Sequence, residues 1–129
     1  IGLVPTLRLF ELFPDPSTPL DRAVRQAQLL HEAGGDVLFG TDSGFSPEFD
    51  PRGEWQLMAR FMDWRGILAS MTTTPARRFG EQRHRGRLAP GMTADIVLLS
   101  ADPTESVDNF AAVVRVFRSG RQIYGTPDP

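Results

Sequence analysis

Two apolar, strand-like runs separated by one amphipathic helix, all before Gly44, restrict this chain to folds with parallel strands. Ile1 to Leu7 is apolar and extended in character, with Pro5 tolerable near a strand end. The cluster of Pro, Asp, Ser and Thr from Pro14 to Pro19 reads as a loop. Thr18 can cap the helix that follows and Pro19 suits its first position. Leu20, Ala23, Val24, Ala27 and Leu30 then recur at helical spacing until Gly34-Gly35 stops the pattern. The second run, Val37 to Thr41, is too apolar for a half-exposed strand and leads into Asp42-Ser43-Gly44. Strand, helix and strand make a βαβ unit, so Asp42 is expected at the C-terminal tip of a parallel strand, where α/β folds hold their chemistry. Gly44 is expected to turn the backbone while the Asp42 side chain faces the mouth of the sheet.

Phe45 to Gly53, with Pro47 and Pro51, reads as a loop. A helix is expected from Glu54, with Trp55, Met58, Ala59 and Met62 on one face. Gly66 interrupts the pattern, and a second helix runs through Ile67, Leu68 and Met71. The Trp and Met residues are core candidates. Thr74 before Pro75 predicts a capped start to a short helix, Pro75 to Phe79, closed by Gly80. Beyond a basic stretch, Arg83 to Arg87, the chain turns strand-like. Ile96 to Leu99 and Ala112 to Phe117 are buried-strand candidates, and Ser119-Gly120 is placed to form a two-residue hairpin turn before Ile123-Tyr124. Pro127 to Pro129 reads as a frayed end. A boundary near 80–86 divides a βαβα portion from a small β portion.

Composition narrows the chemistry. With 14 Lys and Arg against 16 Asp and Glu, the net charge of −2 argues against a nucleic-acid partner. The 129 residues contain no cysteine, which leaves His, Asp and Glu as the available metal ligands. No apolar stretch approaches the roughly 18 residues that span a bilayer, so no membrane partner is expected. The chain opens at Ile1 within an apolar segment, as an N-terminally truncated piece would.

Three separated stretches together resemble the C-terminal third of the amidohydrolase superfamily, in particular its imidazolonepropionase-like and dipeptidase-like branch. Leu30-His31-Glu32-Ala33-Gly34 leading into Leu38-Phe39-Gly40-Thr41-Asp42-Ser43-Gly44 is similar to that family's last barrel helix and eighth strand, which ends in Gly-Thr-Asp. Met71 to Gly80 is similar to its Thr-x-x-Pro-Ala-x-x-Leu-Gly segment, with Phe79 where Leu is usual. Gly86 to Leu99, with Asp102-Pro103 and the Val113 to Ile123 run, resembles the passage from barrel to accessory β-sandwich. The resemblance implies an α/β fold: residues 1–83 as the last two β/α units of a (β/α)8 barrel, and residues 84–129 as part of an accessory β-sandwich.

The resemblance further implies metal-dependent hydrolysis of an amide or cyclic-amide C–N bond in a small or peptide-like substrate. Asp42 matches the strand-eight aspartate that contacts a divalent metal, zinc being the expected ion, and shuttles a proton; Ser43 and Gly44 would line the substrate pocket. The family's His-x-His pair, its fourth-strand Lys or Glu, and its fifth- and sixth-strand histidines have no counterpart in this sequence. His31 reads as a helix-packing or solvated residue and His84 as part of an exposed basic loop. The isolated chain is therefore expected to be inactive, its metal ligated largely by a missing N-terminal part of the barrel, or by a self-associated copy. The different-class alternative is a noncatalytic β/α interaction module. A doubly wound nucleotide binder is disfavoured, because the turn after the first strand holds no Gly-x-Gly-x-x-Gly.

Overall fold

The computed structural model describes residues 1–45 and 49–125. The expected frayed end at Pro127–Pro129, and the part of the expected loop at 46–48, lie outside the described residues. Strands β1 (Gly2–Leu3) and β2 (Asp36–Val37) pair in parallel, Gly2 against Asp36 and Leu3 against Val37, across helix α2 (Leu20–Glu32). The βαβ unit is therefore present, with both strands shorter than expected. Leu38 N still donates to Leu3 O at 2.9 Å, but Phe39 N donates to Ser70 O at 3.1 Å. The extended run thus leaves its neighbouring strand and docks on the end of a helix.

Two further expectations fail in this portion. The first run does not stay extended to Leu7: Thr6 takes a left-handed conformation (φ 44°) and a helix, α1 (Leu7–Leu12), follows at once. Thr18 does not cap α2, since its backbone closes a turn on Asp15, and α2 starts after Pro19 with no side-chain cap. The C-terminal end of α2 is as expected. Gly34 has φ +76°, which allows Gly34 N to reach His31 O and Gly35 N to reach Leu30 O.

Helix α3 (Arg52–Met58) ends before Met62, and α4 (Trp64–Met71) begins earlier than expected. The cause is Asp63, which sits extended and accepts from Gly66 N at 2.9 Å, so Gly66 lies in the first turn of α4 instead of interrupting it. Helix α5 (Thr73–Arg78) likewise begins one residue before Thr74, so Thr74 is not a cap; nor does Thr72 cap it, its hydroxyl donating back to Leu68 O. From α5, Arg77 and Arg78 reach Asp36 at the start of β2, clamping the N-terminal end of that strand.

The second portion is an antiparallel sheet of β3 (Ile96–Leu99), β4 (Val113–Arg118) and β5 (Arg121–Tyr124), in that order. The expected hairpin is present. Ser119 (φ 50°) and Gly120 (φ 78°) are both left-handed, the backbone a mirror-image two-residue turn requires. A short 3-10 turn, Val107–Ala111, lies between β3 and β4 and buries Phe110.

One core joins these pieces. Leu7, Val24, Val37, Trp55, Met58 and Ile67 pack together with Phe110 from the second portion, and Met58 and Ile67 are fully buried. Removing side-chain volume there loses burial and leaves a cavity that the surroundings relax into only partially. Ile67→Ala is expected to lower stability by about 2–5 kcal/mol, read from the urea unfolding midpoint; a loss under about 1 kcal/mol would show that the site collapses or that the core is loosely packed.

Candidate functional site

Asp42 does not stand at the tip of the second parallel strand as expected: β2 ends at Val37, five residues earlier, and Asp42 lies in the turn beyond it with a left-handed backbone (φ 52°). Aspartate tolerates that region better than most residues, because its short polar side chain can bond locally. Its carbonyl accepts from Phe45 N at 2.9 Å, so residues 42–45 form one tight turn. The positive φ belongs to Asp42 itself. Gly44, expected to supply the conformational freedom, has open space where a Cβ would stand and no positive φ. Asp42 is exposed, Ser43 half-buried and Gly44 exposed. No described residue bonds to the side chain of the exposed Asp42.

The turn is held from two sides. The Phe45 ring meets Phe13, at the end of α1, edge-on at 5.7 Å, and Phe39, three residues before Asp42, packs on Trp55 of α3 at 5.7 Å. A recess of about 600 Å³ lies between α1 and the start of α2, lined by Phe10, Glu11, Pro14, Pro16 and Leu20 among others. It contains none of Asp42, Ser43 and Gly44.

The two histidines are not brought to this turn. His31 packs edge-on against Phe61 at 6.1 Å, the helix-packing role expected of it. His84 lies exposed in the basic segment, its carbonyl accepting from Thr93 N at 2.7 Å. Among the described residues no group of three or more His, Asp or Glu could hold a metal ion. Asp42 is thus a single donor, and the residues present do not by themselves fit a metal shell of three or four ligands.

The residue that sequence reasoning missed is Glu54. Its side chain is fully buried, Oε1 accepting from Leu7 N at 2.9 Å and Oε2 from Arg8 N at 2.7 Å. It caps α1 from a distant part of the chain, satisfying N–H groups that Thr6 leaves unpaired. A signal was present. Glu54 shares the helical face of Leu57 and Met58, at i, i+3 and i+4, where a carboxylate has no solvent to meet.

The sequence model of the amidohydrolase family matches residues 18–124. The chain belongs to the amidohydrolase family. Among curated proteins, none matches it. Solved structures do: this amidohydrolase chain is similar to a Xaa-Pro dipeptidase with bound methionine in its active site, at TM-score 0.83 and 19% identity, over 96% of this chain and 34% of that one. It is similar to A. niger ochratoxinase at TM-score 0.80 and 22% identity, over 98% of this chain and 32% of that one. A prolidase complexed with N-methylphosphonate-L-proline aligns at TM-score 0.80 and 21% identity, covering 97% and 35% of the two chains. At these identities the likeness is one of fold, and the amidohydrolase chain spans about a third of each structure's length.

Burial pushes the Glu54 carboxyl above its ordinary value of 4.5, against the two backbone hydrogen bonds that favour the charged form. The folded state therefore holds that proton more tightly than the unfolded chain does. The stabilisation is complete below 4.5 and is lost as pH rises through the raised folded-state value. Stability of the protein relative to its Glu54→Gln variant is expected to increase as pH falls from neutral towards 4.5, measured by urea unfolding midpoints. A difference that stays flat over that range would contradict the assignment.

Proposed function

We propose that this segment supplies the strand-end aspartate of a metal-dependent amidohydrolase that cleaves the amide C–N bond of a small, peptide-like substrate. The observation that carries the reading is Asp42: an exposed carboxylate in the turn five residues beyond the end of β2, held there by a left-handed backbone and free of any described partner. On this reading β1 and β2 belong to the seventh and eighth strands of a (β/α)8 barrel, residues 1–83 form the barrel part, and residues 84–129 contribute to an accessory β-sandwich. The dipeptidase and prolidase that share the fold support a peptide-like substrate class.

A divalent metal, zinc by expectation, would supply Lewis acidity and an activated water to such a reaction. Asp42 is one donor, so the other ligands come from outside this segment. The role proposed for Asp42 itself is proton transfer: its carboxylate accepts the proton released as water attacks the carbonyl and returns it to the departing nitrogen. A carboxylate in this turn suits that role because the Asp42–Phe45 hydrogen bond and the flanking aromatic contacts fix its backbone while the residue remains exposed. Ser43 and Gly44, the next residues of the turn, are proposed to line the substrate pocket.

The test is Asp42→Asn in the polypeptide that carries this segment at full length. The amide keeps the size of the carboxylate and cannot take the proton, so kcat/KM on dipeptide and cyclic-amide substrates is expected to fall about 10²–10⁴-fold with the fold retained. Turnover near that of the unaltered protein would remove Asp42 from the chemistry. For the 129-residue chain alone, calorimetric titration with zinc or manganese is expected to give no stoichiometric binding, since one carboxylate competes poorly with water. One-to-one micromolar binding would mean that the chain, or a pair of chains, completes a site without further ligands.

A further inference from the structure

Glu54 and Trp55, consecutive residues of α3, each grip the exit of a different strand. The Glu54 carboxylate holds Leu7 N and Arg8 N, the first backbone groups after the Thr6 turn that ends β1. The Trp55 indole packs on Phe39, in the stretch that leads from β2 to Asp42. Between these two grips the exits touch. A Cβ on Gly40 would stand 2.4 Å from Val4 Cγ1, so the backbone at Gly40 lies against the Val4 side chain, which any side chain at position 40 would displace. Arg8 is trapped from the same side, its side chain lying over Gly53, where a Cβ would meet it at 2.8 Å.

From this geometry we infer that Glu54 is a positioning residue for Asp42: by pinning the segment after Thr6 it fixes Val4 against Gly40, and Gly40 sets the direction in which the chain continues to Asp42. The inference rests on the proton-transfer reading of Asp42. Glu54 does not touch the reacting atoms. Both its oxygens are occupied by backbone donors, and its influence passes through packed backbone over a short path. Misplacing a proton acceptor costs turnover more than substrate binding, because the acceptor acts in the transition state while the pocket keeps its other contacts.

The experiment is steady-state kinetics of the full-length polypeptide on its best substrate from a panel of dipeptides and N-acyl amino acids, well below the melting temperature of every variant. In Glu54→Gln one oxygen is replaced by an NH2 that confronts a backbone N–H, so one of the two bonds is lost. The expected result is a fall of about tenfold in kcat with KM within about twofold. Val116→Ala, in β4 of the antiparallel sheet and outside the shared core, should lower the melting temperature and leave kcat as it was. Gly40→Ala tests the same path without altering Glu54: its Cβ must push Val4 away, and the same kcat loss is expected. A folded Glu54→Gln protein with unchanged kcat overturns the inference, as does an unchanged Gly40→Ala protein if the Gln variant fails to fold. Asp42→Asn, assayed in parallel, separates the two readings. Full activity in that variant refutes the role of Asp42, whereas an inactive Asp42→Asn beside a fully active Glu54→Gln refutes the positioning role alone.

Discussion

A helix that begins directly after a left-handed residue has no local means of capping itself, and α1 is such a helix. Thr6 turns the chain, its hydroxyl makes no cap, and the N–H groups of Leu7 and Arg8 point inward. An unpaired buried N–H costs about 1–3 kcal/mol, so the start of α1 needs an acceptor from elsewhere. Glu54 supplies both oxygens. Burying a carboxylate is itself unfavourable by several kcal/mol, yet two backbone donors and the positive end of a helix offset much of that. The remaining imbalance is visible in the direction of the Glu54 shift, where burial outweighs the hydrogen bonds.

That one contact makes α3 the part of the structure on which the others depend. Because Glu54 ties α3 to the exit of β1, Trp55 is brought under Phe39 on one side and against Phe110 on the other, at 5.7 and 5.6 Å. Phe110 belongs to the 3-10 turn ahead of β4, and Gln56 adds hydrogen bonds to Asp108 on the same turn. The strand exits, the helices and the antiparallel sheet are thus coupled through three consecutive residues. Ile67 and Met58 fill the space beneath them.

Legibility in the sequence followed the range of the forces. The body and C-terminal stop of α2 and the Ser119-Gly120 hairpin depend on periodicity and on glycines whose φ is positive, both local properties, and both are legible in the sequence. The family was legible too, because its signature residues are themselves clustered along the chain. What failed was set by contacts between distant segments: α1, capped from α3; the early end of β2, where Phe39 N leaves its strand for Ser70 O; and Glu54, expected only as the start of a helix and found buried against α1. Asp63 is different in kind. Its cap is local and could have been anticipated, but Gly66 offered a simpler explanation of the break.

Thr6 and Asp42 are the two non-glycine residues with positive φ at the exits of β1 and β2. Such a conformation costs on the order of 1–3 kcal/mol in residues with a Cβ, and it persists only where the surroundings over-determine it. They do so here from opposite directions, through the Glu54 carboxylate beyond Thr6 and the Asp42–Phe45 turn with its Phe13 contact. A chain under selection for stability alone would place glycine or asparagine at the second position, where the turn would form as well and no charge would be left exposed without a partner. Aspartate at this position adds nothing to the turn that those residues lack except an ionisable, solvent-exposed carboxylate. The contacts on either side of that turn, Phe45 on Phe13 and Phe39 on Trp55, are what hold a residue with a Cβ in this conformation.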